Sequence, residues 1–346
     1  MQEPPALALS DDQSAAFDRV AAHLLQSGID IAAGRLTPPD AEDSPPLAVI
    51  GKAGSGKTLL LARLYKALAE AGVEIVSGDY ESRRKRERRS LAILAPTNKA
   101  ASVLRMQGVP ATTIQRILYT PVYDPEYERI AEWLTGNAAR PEAGILEDAA
   151  LDRAQAFYAS HNSVPAALAA AGVRGSDFIT GWKRREDPLD VGFVDESSML
   201  DARQFDDLRE IFPTLVLFGD PAQLAPVGQS GEMVFERLPA GRRLTLSRVH
   251  RQTEDNPILD LAHALGDPEL GFERFEAMVE EAAGRDDRVV IDERVQAGPM
   301  ARAPVLVWRN ATRVRLIHAF RSAYGAPPDA LVPGEPLICD GIELPL

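Results

Sequence analysis

The sequence predicts an α/β protein built on a parallel sheet with flanking helices, and three observations carry that prediction. Unbroken apolar runs recur at Leu47–Ile50, Leu91–Ala95, Val191–Val194 and Leu215–Phe218. Runs that are apolar at every position, rather than at alternate ones, belong to strands buried on both faces. Each run ends in a polar loop, the place where open parallel sheets collect their ligand sites. Finally, Gly51-Lys52-Ala53-Gly54-Ser55-Gly56-Lys57-Thr58 follows the first run and opens the helical pattern Leu59–Tyr65. This is G-x-x-x-x-G-K-[ST] between a strand and a helix, the setting that a phosphate-binding loop needs.

The chemistry follows from the residue types. Glycines let successive backbone N–H groups turn inward around an anion, and the helix behind them adds roughly half a positive charge. Lys57 reaches the β- and γ-phosphates of a bound nucleotide, and the Thr58 hydroxyl ligates Mg²⁺. A glycine-rich turn that binds nothing is the plainer alternative. The four fixed positions recur by accident in a chain of this length roughly one time in a hundred.

At 346 residues the chain has room for about two domains. The net charge of −13 excludes a wholly basic nucleic-acid coat, but not a local basic channel. Cys339 is the single cysteine, so neither an internal disulfide nor a cysteine metal cluster is available. The five histidines lack ligand spacing. The N-terminal residues carry no signal-peptide pattern, and no apolar run is long enough to span a bilayer, so the cytoplasm is the expected location and no membrane the expected partner.

In order along the chain, Ser10-Asp11-Asp12-Gln13 followed by Ala16, Val20 and Leu24 reads as an amphipathic helix with a Ser10–Gln13 capping box. Residues 34–46 form a Pro-rich polar connection. The phosphate-loop helix is expected to end at Gly72. The run Arg83–Arg89 reads as a solvated loop, with a phosphate-contacting loop as the other reading. Pro96-Thr97-Asn98-Lys99 starts a helix capped by Thr97 or Asn98, and Thr112-Thr113-Ile114 opens a short one. Residues 121–190 carry no core-strand signal and read as a largely helical insertion, ending in Trp182-Lys183-Arg184-Arg185. Its aromatic residues are expected in the insertion's own core, with base-stacking platforms as the other reading.

Asp195-Glu196 ends the third strand. Two adjacent carboxylates there are costly unless they face a cation or ligand. Beside a phosphate loop, Asp195 is placed on Mg²⁺ through water and Glu196 as the base that orients an attacking water. A helix-capping acidic pair is the alternative. Asp201–Ile211 reads as a helix, and Leu215–Phe218 runs into Gly219-Asp220-Pro221-Ala222-Gln223-Leu224. Later, Pro257–Leu265 and Phe272–Val279 read as helices, and Val305–Trp308 as a strand.

The order of Gln13, the phosphate loop, Pro96–Lys99, Thr112–Ile114, Asp195–Glu196, Gln223 and Arg251-Gln252 resembles the RecD-like DNA helicases of superfamily 1B. The resemblance implies two RecA-like lobes, ATP with Mg²⁺, and 5′ to 3′ movement on single-stranded DNA. It implies that Gln13 reads adenine, that residues Gly51, Lys52, Ala53, Gly54, Ser55, Gly56, Lys57, Thr58 and Leu59 hold ATP, and that Gln223 senses the γ-phosphate. Arg251 would stabilise the transferring phosphoryl group from the second lobe, and Pro96, Thr97, Asn98, Lys99 and Thr113 would hold the DNA backbone. The expected domains are an N-terminal helix and linker at 1–46, an ATPase lobe at 47–230 with an insertion near 121–190, and an incomplete second RecA-like lobe at 231–346. The family's last two motifs are missing from this sequence, so a nucleotide-dependent binding module with little turnover is the alternative function, and an ATPase unrelated to nucleic acid a third.

Overall fold

The computed structural model describes residues 8–38, 44–76, 89–142, 144, 146–173, 179–185, 189–223, 232–248, 256–267, 269–294, 296–333 and 335. The chain divides into two compact units, the first running to Glu254 and the second from Asp255.

Helix α1 (Asp11–Gln26) opens the first unit, with Gln13 closing the expected capping box: its side-chain oxygen accepts the Ser10 N–H at 3.0 Å. A hairpin of two-residue strands, β1 (Ile29–Asp30) with β2 (Arg35–Leu36), leads toward β3 (Leu47–Gly51). Helix α2 (Lys57–Glu70) stops before Gly72 as expected, and β4 (Glu74–Val76) follows. Then come β5 (Ser90–Ala95), α3 (Asn98–Met106), β6 (Ala111–Thr113) and α4 (Ile114–Leu118). Thr97 caps α3 by accepting the Ala100 N–H at 3.2 Å.

The insertion stands on an antiparallel ribbon of β7 (Tyr119–Tyr123) and β8 (Ile179–Arg184), and carries α5 (Pro125–Leu134), α6 (Asp148–His161) and α7 (Val164–Ala170). These helices bury Ile130, Leu151, Ala154 and Leu168 in a core of their own, against which Tyr123, Tyr127 and Trp133 pack. Two things differ from the expectation. The ribbon itself was not legible, and Trp182 lies on it 62% exposed rather than in the insertion core. The ribbon is moored by α8 (Ala202–Ile211), whose Asp207 accepts from the Tyr119 hydroxyl at 2.8 Å and from Arg184 at 2.7 Å.

Three further strands, β9 (Val191–Val194), β10 (Thr214–Gly219) and β11 (Arg243–Leu246), complete a sheet that has seven strands among the described residues. Its order is β11-β3-β10-β9-β5-β4, and β6 continues β4's edge by pairing with the second half of β5. Every pairing in it is parallel. The first unit therefore runs past residue 230, because β11 adds itself to the outer side of β3 and ties the following chain to the sheet.

Alternation along the strands builds two cores. Leu47, Val49, Ile93, Phe193, Val216 and Phe218 face α1, α2 and α3, while Ala48, Ile50, Leu94, Val194 and Leu217 face α4, α8 and Met233–Phe235. Each fully buried Val, Leu, Ile or Phe side chain contributes about 1.5–3 kcal/mol.

The basic run resolves differently from either reading at its last member. Arg89 is 3% exposed, pairs with the equally buried Asp190 at 2.6 Å and donates to the Ser27 carbonyl at 2.6 Å. It is a structural ion pair; Arg83–Arg88 lie outside the described residues.

The second unit contains α9 (Pro257–Ala264), α10 (Phe272–Arg285), α11 (Ala297–Arg302) and α12 (Asn310–Ala323). The strand expected at Val305–Trp308 is not formed. A strand needs a neighbouring backbone to satisfy its N–H and C=O groups, and no strand is present among the described residues of this unit. Leu306 and Trp308 are instead 93% and 84% exposed. In the first turn of α12 the Asn310 side-chain oxygen accepts from Arg313 at 2.7 Å.

Candidate nucleotide site at the strand ends

All strands of the sheet point the same way, so β3, β5, β9, β10 and β11 deliver their following loops to one edge. The register aligns them: Ile50 lies opposite Gly219, and Leu94 opposite Val194.

At the end of β3 the phosphate loop turns through Gly54 and Gly56, both at φ +81°, a left-handed backbone that a side chain disfavours. Helix α2 starts at Lys57, which puts Thr58 and Leu59 in its first turn. The Lys57 ammonium donates to the carbonyls of Gly51 at 2.5 Å and Lys52 at 3.2 Å, and stands 4.0 Å from a carboxylate oxygen of Asp220. Asp220 is 3% exposed at the end of β10. No role for Asp220 follows from the sequence pattern alone. Its signal was the one that marked Asp195, a carboxylate at the mouth of a buried strand.

At the end of β9, Asp195 is 8% exposed and its backbone N–H donates to the Leu94 carbonyl at 2.8 Å. Burial, then the charge of neighbouring Glu196, pushes its carboxyl up to about 6, against the pull of Lys57. Glu196 adopts φ +52°, an uncommon conformation for a residue with a side chain and a mark of functional loops. Its carboxylate accepts from the Gln223 amide at 2.9 Å, while the Ser198 hydroxyl donates to the Gln223 side-chain oxygen at 2.8 Å. An ionised carboxylate only accepts, so Glu196 fixes which end of the Gln223 amide faces it. Ser198 is a further participant that the sequence reading missed.

Gln13 meets the loop from behind. It is 1% exposed, and its amide donates to the Ser55 carbonyl at 3.0 Å. With its oxygen on Ser10, one amide hydrogen is left for the adenine contact implied by the resemblance. Of the expected DNA contacts, Thr97, Asn98 and Lys99 are exposed at the start of α3 and Pro96 is half-buried, while Thr113 ends β6 at 7% exposure. Arg251 and Gln252 lie outside the described residues.

The donor set fits a magnesium nucleotide. A loop of inward-turning backbone, a lysine amid carbonyls and a carboxylate raised first by its burial and then by a second acid are groups that an anion and a cation together would satisfy. Loop, acidic pair and parallel sheet define the fold of a P-loop nucleoside triphosphatase. A family model described as AAA domain matches residues 43–283, more than half of the chain, and the chain belongs to that family. Among solved structures, the Pif1 helicase from Candida albicans is 16% identical at a TM-score of 0.44, over 93% of this chain and 56% of that one. A second, described as "Structural Basis for DNA Unwinding at Forked dsDNA by two coordinating Pif1 helicases", is 17% identical at a TM-score of 0.37, over 82% of this chain and 53% of that one. The chain thus spans little more than half the length of either structure. No curated protein matches it in sequence. Among the described residues, no helix is long and apolar enough to cross a membrane.

Proposed function

We propose that the chain is an ATP-driven DNA helicase or translocase of the RecD-like type, moving 5′ to 3′ on single-stranded DNA in the cytoplasm. The observation that carries the reading is the meeting, at one sheet edge, of Lys57 with Asp220 and of Glu196 with Gln223. On this reading residues 51–59 cradle ATP, and Lys57 leaves its loop carbonyls for the β- and γ-phosphates. Thr58 and Asp195 would hold Mg²⁺, which neutralises charge on the phosphates when bound. Glu196 accepts a proton from the attacking water, and Gln223, already on that carboxylate, registers the γ-phosphate. Gln13 offers its remaining amide hydrogen to adenine. Arg251 supplies the arginine-finger charge, a contribution of about three to five orders of magnitude in rate where it operates. On this reading Pro96, Thr97, Asn98 and Lys99, with the buried Thr113 opposite Ala95 at the end of β6, would hold the backbone phosphates.

Lys57→Ala should reduce ATP hydrolysis stimulated by single-stranded DNA to background, and a forked duplex with a 5′ tail should be opened in preference to one with a 3′ tail. Wild-type turnover in Lys57→Ala would refute the ATPase reading; preference for the 3′ tail would refute the polarity. One observation favours the second reading, a nucleotide-dependent binding module: the described part of the second unit has helices but no sheet. Tight ATP binding with negligible hydrolysis would select it.

A further inference from the structure

Strands β3 and β11 are parallel neighbours whose last residues, Gly51 and Leu246, face each other. They leave the sheet side by side. The first continues into the phosphate loop, the second into Ser247-Arg248 and on toward Arg251. The first turn of α1 touches both exits.

Gln13 holds one of them through its hydrogen bond to the Ser55 carbonyl. There is no slack in that contact, because a Cβ added at Gly56 would sit 2.1 Å from the Gln13 amide nitrogen. The adjacent residue, Asp12, holds the other. One carboxylate oxygen accepts the Gln13 N–H at 3.0 Å together with the Ser10 hydroxyl, and the second accepts the Arg248 N–H at 2.9 Å. Burial alone would raise the Asp12 carboxyl; the hydrogen bonds from the Ser10 hydroxyl and from the N–H groups of Arg248, Gln13 and Ser247 outweigh it and hold it below the usual range. Helix capping accounts for the bonds within residues 10–13. It does not account for partners 42 and 236 positions away.

We infer that Asp12 is a positioning residue: through the helix turn it shares with Gln13, it ties the point where the chain departs toward Arg251 to the phosphate loop. Movement of the loop on filling is then passed to Arg248 through two hydrogen bonds and one rigid helical turn. The inference rests on the ATPase reading above and adds to it a residue with no part in holding nucleotide.

Asp12→Asn separates the two contacts. The remaining oxygen keeps the Ser10 and Gln13 bonds, while the new amide opposes the Arg248 N–H donor to donor. The expected result is ATP affinity within twofold of wild type, read with a fluorescent ATP analogue, with kcat for DNA-stimulated hydrolysis lower by about tenfold or more, as misplacement of a remote group produces. Asp12→Ser, too short to reach Arg248 yet suited to a helix start, should show the same split if the asparagine variant folds poorly. Asp12→Glu, which keeps the carboxylate, should recover part of the rate. Unchanged kcat in both Asp12→Asn and Asp12→Ser, or equal losses of affinity and kcat, overturns the inference. Lys57→Ala serves as the control: if it still hydrolyses ATP, the ATPase reading fails; if it is inactive while Asp12→Asn behaves as wild type, only the role of Asp12 fails.

Discussion

The two units of this chain spend their apolar residues in opposite ways. In the first, β3 and β10 are buried at every position and the sheet is covered on both faces. In the second, the described residues bury only Ala282 and Val289, while Phe272, Leu306 and Trp308 are 77% or more exposed. Composition does not separate them, since Leu, Val, Ile and Trp run through both. What separates them is a sheet: helices with one apolar stripe need a second layer to cover it, and only the first unit has that layer among the described residues.

The comparison would be sharpened most by Phe218→Ala. Phe218 is fully buried, edge-on to Phe193 with ring centres 5.7 Å apart, and its loss should cost about 3–5 kcal/mol in urea unfolding of the first unit. A cost below about 1 kcal/mol would mean that this core is far looser than its burial indicates.

The next effect is one of acidity. His23 lies buried beside Arg242 and Ser44, and burial, with the Arg242 charge second, brings it down to about 4. Its folded value is below its unfolded value of 6.5, so the unfolded chain takes up a proton that the folded chain refuses as the pH falls between them. The stabilisation is complete above 6.5 and lost toward 4, by about 2–3 kcal/mol. Urea midpoints measured from pH 7.5 down to 4.5 should fall, and His23→Gln should flatten the decline. An equal slope in the variant would assign the acid sensitivity elsewhere.

The smallest effect belongs to the second unit. Leu306→Ala removes a side chain already in water, and should change stability by no more than about 0.5 kcal/mol. A loss of 2 kcal/mol or more would show that Leu306 is covered in solution, and the contrast between the units would break.

The sequence made some of this visible and hid the rest for physical reasons. Strands β3, β5, β9 and β10 announced themselves because a strand buried on both faces has no reason to alternate. Strand β11 did not, since Arg243 and Thr245 are exposed on an edge, and three-residue β4 and β6 are too short for any pattern. The phosphate loop and Asp195–Glu196 are legible because their chemistry is local. Ser198 on Gln223, Asp220 near Lys57 and Asp12 on Arg248 are contacts between distant stretches, and no spacing rule reaches across them. Trp182 was misread because aromatic residues in a helical insertion usually serve its core, and the ribbon that holds this one outside was itself unseen.

The pairing of β3 with β10 and β11 has a consequence for biosynthesis. Leu47–Gly51 leaves the ribosome early, yet its first neighbour, β10, is translated only after nearly half the chain has followed. Until then a fully apolar strand has neither edge satisfied, a condition that favours slow maturation and self-association. A nascent chain arrested before residue 214 should therefore be a strong client for holding chaperones, and one extended past Leu246 a weak one.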